Sequence, residues 1–519
     1  MKENRWPELF LFLSVLLGGV VRFSPTILSG MPINDGGMFY VMIEDLKANH
    51  FLIPAFTTYN HFDIPFAYPP FSFYVGGVLS LIGVPLPAIF RWLPPLVSTL
   101  SIPIFYWIAN LILKSKMRAA LATLAYSLMP RTFSWYVMGG GLSRAFGIFF
   151  LLSTCSFAWM LFNRRVNKYV FLTALFGAGT VLSHPETGIH AAVACSLIWF
   201  ANYRNDRSYF RDAVLVVLGV LFLTSPWWGI VLAQNGLAPF QSALATGGHT
   251  IFFWLSWLTL DFAEERFIAL LTVLGLIGFV VQIVRKEWLL PIWMLIPFAI
   301  EPRSAPAIAV LPLAMLAGIG LSDVVMPRIM VLMSKSENEL ELSVAGLEQR
   351  KIFQITLAGI ILISFFGAYF YDMSLSLYVV PTPSQLAMDW VRSNTLSASR
   401  FIVLTGEANP YSDPFVEWFP VYAGRTSLNT IQGREWTLGK SFEPFLMSLA
   451  DLQGCVNGSP ACVEDWAISN HLVFDYIYIE KPQDNRIVQM SGLLLYQLRQ
   501  DSNYSLIFEN DGAAIFERK

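Results

Sequence analysis

The chain is 519 residues long, 55% hydrophobic and only 13% charged, with a net charge of −2. Soluble domains carry about 25% charged residues, so most of this chain has lipid as its solvent, and near-neutrality offers no electrostatic footing for nucleic acid. Neither a Gly-x-x-x-x-Gly-Lys phosphate loop nor a dinucleotide fingerprint occurs, which argues against ATP-driven transport.

Taken in chain order, apolar segments at 8–28, 88–113, 118–130, 144–162, 169–183, 188–202, 212–232, 267–284, 288–300, 306–325 and 353–371 predict about eleven membrane spans, each helix needing roughly 20 apolar residues. Arg22 interrupts the first segment and no small-residue cleavage site follows it, so it reads as an uncleaved span rather than a signal peptide. Segments 69–83 and 250–260 read as helices at the membrane interface. Basic residues recur in alternate loops: Lys2/Arg5, Lys114/Lys116/Arg118, Arg164/Arg165/Lys168, Arg204/Arg207/Arg211, Arg285/Lys286 and Arg328/Lys335/Arg350/Lys351. The positive-inside rule makes those loops cytoplasmic. The N-terminus is then inside, and the loops holding Asp35, Arg131, His184 and Glu301 lie outside, as does the chain beyond the last span. A multi-pass protein of the plasma membrane is the expectation.

The first outer loop, 29–87, is too long to be a simple connector. It carries Asp35 beside Gly36-Gly37, then Tyr40, Glu44, Asp45, His50, His61 and Asp63, and closes on Tyr68-Pro69-Pro70. A carboxylate at the mouth of an apolar bundle is costly and marks a functional site; the competing reading is that Asp35 caps the helix beginning near Gly36. Later outer loops offer Arg131, the run Met138-Gly139-Gly140-Gly141-Leu142-Ser143-Arg144, the run His184-Pro185-Glu186 through His190, and Glu301-Pro302-Arg303. Asp261, Glu264, Glu265 and Arg266 read as a solvated edge, and the acidic stretch 334–350 as a cytoplasmic linker or surface helix.

After residue 380 the composition changes, and 381–519 predicts an extracytoplasmic α/β domain of ordinary size. Helices are expected at 384–392, 443–452, 463–470 and 485–499, with buried strands at 401–405 and 475–479. Strands 506–508 and 514–516 flank the turn Glu509-Asn510-Asp511-Gly512. Cys455 and Cys462 close a short Gly- and Pro-containing loop whose span suits a disulfide outside the cytoplasm. Cys155 and Cys195 read as small core residues. Glu417-Trp418-Phe419-Pro420 and Gln432-Gly433-Arg434-Glu435-Trp436 set aromatics beside charges, suited to stacking on sugars or docking on the membrane part.

The order of these parts resembles the GT-C superfamily of integral-membrane glycosyltransferases, which includes oligosaccharyltransferase catalytic subunits, protein O-mannosyltransferases and lipid A aminoarabinose transferases. The resemblance rests on Asn34-Asp35-Gly36-Gly37-Met38-Phe39-Tyr40 after the first span, the helix after Tyr68-Pro69-Pro70, the loop Met138–Arg144, and Glu301-Pro302-Arg303-Ser304-Ala305-Pro306 before a late span. It implies a GT-C-like polytopic α-helical membrane protein, with domains at 1–380 and 381–519. It implies a sugar passed from a polyprenyl-phosphate donor to an acceptor (protein, lipid or polysaccharide) at the outer face, with inversion. Asp35 is the expected general base. Arg303 is the expected donor-phosphate ligand, with Arg144 and Arg131 behind it. Tyr40, His61, Asp63, Tyr68, His184, Glu186 and Glu301 are the expected substrate-binding set. Oligosaccharyltransferase-like members carry a second acidic motif for a divalent metal in the loop corresponding to Gly139–Arg144; here that loop has no Asp or Glu. A divalent metal (Mg, Mn or Zn) would need other ligands, for which His184, Glu186 and His190 are the candidates. Two other readings stay open: a transporter or flippase of lipid-linked sugars, and a non-catalytic glycan-binding member of the superfamily. The first would place its notable charges near mid-membrane, whereas here they sit in outer loops.

Overall fold

The computed structural model describes residues 5–164, 166–204, 206–245, 263–333, 351–481 and 492–519. All eleven segments expected to span the membrane fall on helices, α1 (Trp6–Ser29) and α4 (Leu86–Leu113) among them. Six helices are long and apolar enough to cross a membrane: α1, α4, α6 (Gly141–Arg164), α9 (Arg207–Asn235), Ala305–Ile329 and Gln354–Leu375. The remaining segments form shorter helices, α5 (Lys116–Leu128), α7 (Lys168–Ser183), α8 (Pro185–Ala201), Leu270–Val284 and Leu289–Ile300. The polytopic helical architecture expected from the sequence is thus present, six of its apolar segments lying on long helices and five on shorter ones. The acidic stretch 334–350 and the predicted interfacial helix 250–260 lie outside the described residues.

Burial sorts these helices. In α6 and Ala305–Ile329, 72% and 78% of the apolar window is buried in protein, against 17% in α9 and 22% in Gln354–Leu375. The first two form the centre of the bundle, and the others present apolar faces outward. α1 packs on α4 and α5 and carries a fully buried arginine: Arg22 donates to Ser98 Oγ (3.0 Å), Ser127 O (2.8 Å), Thr132 Oγ1 (3.2 Å) and Gly18 O (3.1 Å). Its guanidinium lies over the Tyr126 and Phe133 rings. A cation taken out of water needs this degree of satisfaction.

Between α1 and α4 the long loop is folded. It holds α2 (Gly37–Ala48), a two-residue ladder of β1 (Phe56–Thr57) with β2 (Ile64–Pro65), and α3 (Phe71–Leu81), the last within the predicted interfacial segment 69–83.

The C-terminal region is a five-stranded sheet in the order β4-β3-β5-β7-β6, with β3 Arg400–Leu404, β4 Thr426–Ser427, β5 Tyr476–Glu480, β6 Tyr504–Glu509 and β7 Ala513–Arg518. β3 runs parallel to β4 and β5; β7 is antiparallel to β5 and β6. Side chains alternate across a strand, so β3 feeds two cores. Ile402 and Leu404 join Leu449, Leu452 and Trp466 on one face, while Phe401 and Val403 join Val391, Phe415 and Phe419 on the other. The β6–β7 turn is held by Asn510 Oδ1, which accepts from Gly512 N and Ala513 N at 2.8 Å each. Cys455 and Cys462 form a disulfide with Cα atoms 5.6 Å apart. Of the predicted helix 485–499, Leu493–Leu498 is observed, and 482–491 lie outside the described residues.

A helix at Pro414–Ala423 and the short β4 were not expected from the sequence. Pro420 inside the helix hid it, yet Asp413 caps it, accepting from Phe415 N (3.0 Å) and Val416 N (3.4 Å), and Pro414 sits in the first turn, where no donor is needed. This helix packs against α2 and carries the sheet domain onto the end of the bundle.

Candidate active site at the junction of bundle and sheet domain

Asp35 does not cap α2: the N-cap is Gly36, which has no side chain to cap with. Its carboxylate turns instead to the glycine run that opens α6. Oδ1 accepts from Gly140 N at 2.8 Å, and Oδ2 accepts from Arg144 Nη2 at 2.6 Å. A Cβ on Gly139 would stand 2.0 Å from Asp35 O, and one on Gly140 would stand 2.4 Å from Asp35 Oδ2. The glycine run is thus the space into which the aspartate fits. Arg144 is held in turn by Trp135 O (2.9 Å) and lies over the Trp135 ring.

The sheet domain grips the same turn. Asn34, at φ 54°, donates through Nδ2 to Tyr411 O (2.9 Å), and its carbonyl accepts from Trp418 Nε1 (2.8 Å). Gly36, at φ 116°, donates its N–H to Glu417 Oε1 at 2.7 Å. Glu417 Oε2 accepts from Gln432 Nε2 (2.7 Å), and Tyr59 OH donates to Glu417 O (2.7 Å). Further along the loop, Asn60 and Ser427 exchange two hydrogen bonds of 2.9 and 2.7 Å. Glu417 is 4% exposed. Burial, and next the charge of Asp35, push its carboxyl up to about 8. Sequence reasoning missed Glu417 as the partner of Gly36 beside Asp35, because no local signal joins positions 381 residues apart.

Arg303 reaches the same region by another route. Its guanidinium lies over the Tyr411 ring and 3.9 Å from Glu186 Oε1. Glu301 takes the Arg303 backbone N–H (3.2 Å) and both donors of Ser304, and it lies 3.6 Å from His190 Nε2. Burial acts upward on Glu301, but the His190 and Ser304 hydrogen bonds outweigh it and hold the carboxyl at about 2. Tyr68 OH lies 3.0 Å from Ser143 Oγ, and its ring faces those of His184 and Trp436 edge-on. His184 Nδ1 accepts from Thr187 N (3.3 Å). Burial, then the charges of Arg144 and Arg303, pull the imidazole down to about 3, so it is neutral and carries its proton on Nε2.

The structure therefore brings Asp35 and Arg144 together, with Tyr68, His184, Glu186, Glu301 and Arg303 around them. Others lie elsewhere. Tyr40 packs between Phe90 and Trp418. His61 is exposed with Nδ1 3.3 Å from Thr426 Oγ1, and Asp63 is exposed. Arg131 pairs with Glu264, which also accepts from Ser134 Oγ (2.9 Å) and Tyr371 OH (3.1 Å). That network corrects the reading of Glu264 and its neighbour as a solvated edge: Glu265 accepts from Leu271 N (2.8 Å) and Thr272 N (2.7 Å).

Among the described residues no group of three or more His, Cys, Asp and Glu side chains is placed to hold a metal ion, His184, Glu186 and His190 included. Both Asp35 oxygens are already engaged, one by a guanidinium that occupies the place of a cation. The residues present do not fit a divalent metal at Asp35.

No protein-family model matches the chain, and no curated protein matches it by sequence. Solved structures do match in fold. Archaeal oligosaccharyltransferase AglB from Archaeoglobus fulgidus, in complex with an inhibitory peptide and a dolichol-phosphate, superposes with a TM-score of 0.59 at 14% identity, over 92% of this chain and 69% of that one. ArnT from Cupriavidus metallidurans, bound to undecaprenyl phosphate, gives 0.52 at 15% identity over 99% and 98%. Arabinofuranosyltransferase AftD from Mycobacteria gives 0.55 at 14% identity over 99% of this chain and 41% of that one. The chain therefore shares the fold of these three solved proteins, at 14–15% identity.

Proposed function

We propose that the chain is a glycosyltransferase that moves a sugar from a polyprenyl-phosphate donor to a nucleophilic acceptor, with inversion at the anomeric carbon. The observation that carries this reading is the Asp35 carboxylate, held from two sides by Gly140 N–H and Arg144 where the bundle meets the sheet domain. The bond from the anomeric carbon to the phosphate oxygen breaks and its electron pair leaves with the phosphate. The acceptor atom bonds to the same carbon from the opposite face, and its proton passes to Asp35. A phosphate is a weak base and needs no protonation to leave; its charge needs a cation. Arg303 is assigned that task, since its guanidinium is 44% exposed at the rim and its contact with Glu186, at 3.9 Å, is loose. Arg144 positions Asp35, and Tyr68, His184 and Trp436 offer a wall of rings on which a sugar can stack. Binding of lipid phosphates by AglB and ArnT supports the donor class. Charge sorting along the sequence supports a multi-pass protein of the plasma membrane with the site on the outer face.

The test is transfer by purified protein from a panel of synthetic polyprenyl-phosphate sugars. Asp35→Asn keeps the Gly140 contact and removes the base, so transfer is expected to fall by about 10²–10⁴-fold. Equal transfer by the variant would remove Asp35 from its role. Absence of transfer by the wild type from every donor would favour the non-catalytic, glycan-binding reading.

A further inference from the structure

Glu417 sits where a second carboxylate is least affordable. It belongs to the helix Pro414–Ala423, is 4% exposed, and its side chain reaches back to the backbone N–H next to Asp35. Among the described residues no cation is paired with it; the guanidinium nearest to hand, Arg144, is spent on Asp35. The groups that act on Glu417 are Asp35 from the Asn34–Gly36 turn, Arg144 from α6, the backbone N–H groups of Gly36 and Met38, Gln432, and Tyr59 through the Glu417 carbonyl. Two carboxylates served by one guanidinium do not both stay ionised in a dry site.

Gln432 is the informative neighbour. One end of its amide meets Glu417 Oε2 at 2.7 Å, while its Oε1 is buried without a hydrogen-bond partner. The two ends of an amide have the same shape. Turned one way, Gln432 donates to a carboxylate; turned the other way, it accepts from a carboxylic acid. Either orientation leaves one end of the amide unpartnered, so counting hydrogen bonds does not choose between them. Charge does, because only the second orientation avoids an uncompensated buried anion beside Asp35.

We propose that Glu417 is a positioning residue that works as a neutral carboxylic acid, accepting the Gly36 N–H on Oε1 and donating from Oε2 to Gln432, and so fixes the Asp35 turn to the sheet domain. The upward push on its carboxyl from burial and from Asp35 agrees with this state. On ionisation a second negative charge faces Asp35, the Gln432 hydrogen bond inverts, and Asp35 loses its fixed pairing with Arg144. The inference about catalysis rests on the glycosyl-transfer reading; the protonation state of Glu417 does not.

Infrared difference spectra of the full-length protein in detergent, taken while pH is raised from about 6 to about 10, read the carboxyl directly. A protonated-carboxyl C=O band is expected at neutral pH, vanishing as pH rises through about 8 and missing from Glu417→Gln. A wild-type spectrum without that band at neutral pH, or one unchanged in Glu417→Gln, overturns the proposal. Transfer supplies the second readout. Glu417→Gln, a neutral isostere, is expected to keep KM and kcat within about threefold of wild type at neutral pH and to move the alkaline limb upward, while Glu417→Ala, which orphans the Gly36 N–H, loses kcat by about tenfold or more at every pH. Loss in Glu417→Gln as deep as in Glu417→Ala overturns the proposal. If Glu417→Gln does not fold, Gln432→Leu replaces it: removing the acceptor is expected to shift the frequency and midpoint of the band, and an unmoved band overturns the proposal. If no donor supports transfer, the glycosyl-transfer reading fails while the infrared result still decides Glu417.

Discussion

Gly140 decides where the Asp35 carboxylate can be. Its N–H holds Oδ1, and the absence of a Cβ makes room for Oδ2. Gly140→Ala adds one methyl group 2.4 Å from that oxygen, so the carboxylate must move away from Arg144. Misplacing a reacting group by about 1 Å costs on the order of 10²-fold in rate, and that loss is expected in transfer assays with an unchanged melting midpoint. Asp35 itself was legible from its place just beyond an apolar segment. Its partners were not. The contact of Arg144 with Asp35 joins positions 109 residues apart, and that of Glu417 with Gly36 is longer still. A single sequence carries periodicity and local turn chemistry, whereas these contacts are created by packing.

At the scale of elements, legibility followed the strength of the repeat. β3 and β5 were readable because their residues are apolar on both faces, and the β6–β7 turn because Asn510 and Gly512 announce it. The helix Pro414–Ala423 was hidden by Pro420, although Asp413 and Pro414 mark its start. Asp413 is buried and also accepts from Thr405 Oγ1 at 2.5 Å. Asp413→Ala therefore removes a cap and strands a buried hydroxyl, and is expected to lower stability by about 1–3 kcal/mol. The measurement is a thermal or denaturant melt followed by tryptophan fluorescence, which reports Trp418 on the same helix. Because that helix also holds Asn34 and Gly36, transfer should fall at temperatures where the bundle is still folded.

At the scale of the molecule, the apolar segments mark the bundle and the composition shift near residue 380 precedes the sheet domain, with six segments on long helices and five on shorter ones. What no local pattern could show is that neither part completes the candidate site alone: the aspartate and arginine come from the bundle, the clamp around them from the sheet domain. The height of that site is set from within the bundle. α1 ends at Ser29, a few residues before Asp35, and Arg22 ties it to Ser98 of α4, to Ser127 in the last turn of α5 and to Thr132 just beyond α5. A helix pinned in this way cannot slide or tilt separately to suit a thicker or thinner bilayer. Wild-type transfer in nanodiscs of short and long acyl chains is accordingly expected to agree within about twofold, whereas Arg22→Met should make the rate depend on chain length, as α1 adjusts to hydrophobic mismatch. The buried arginine thus makes the reach of Asp35 a property of the protein rather than of the lipid around it.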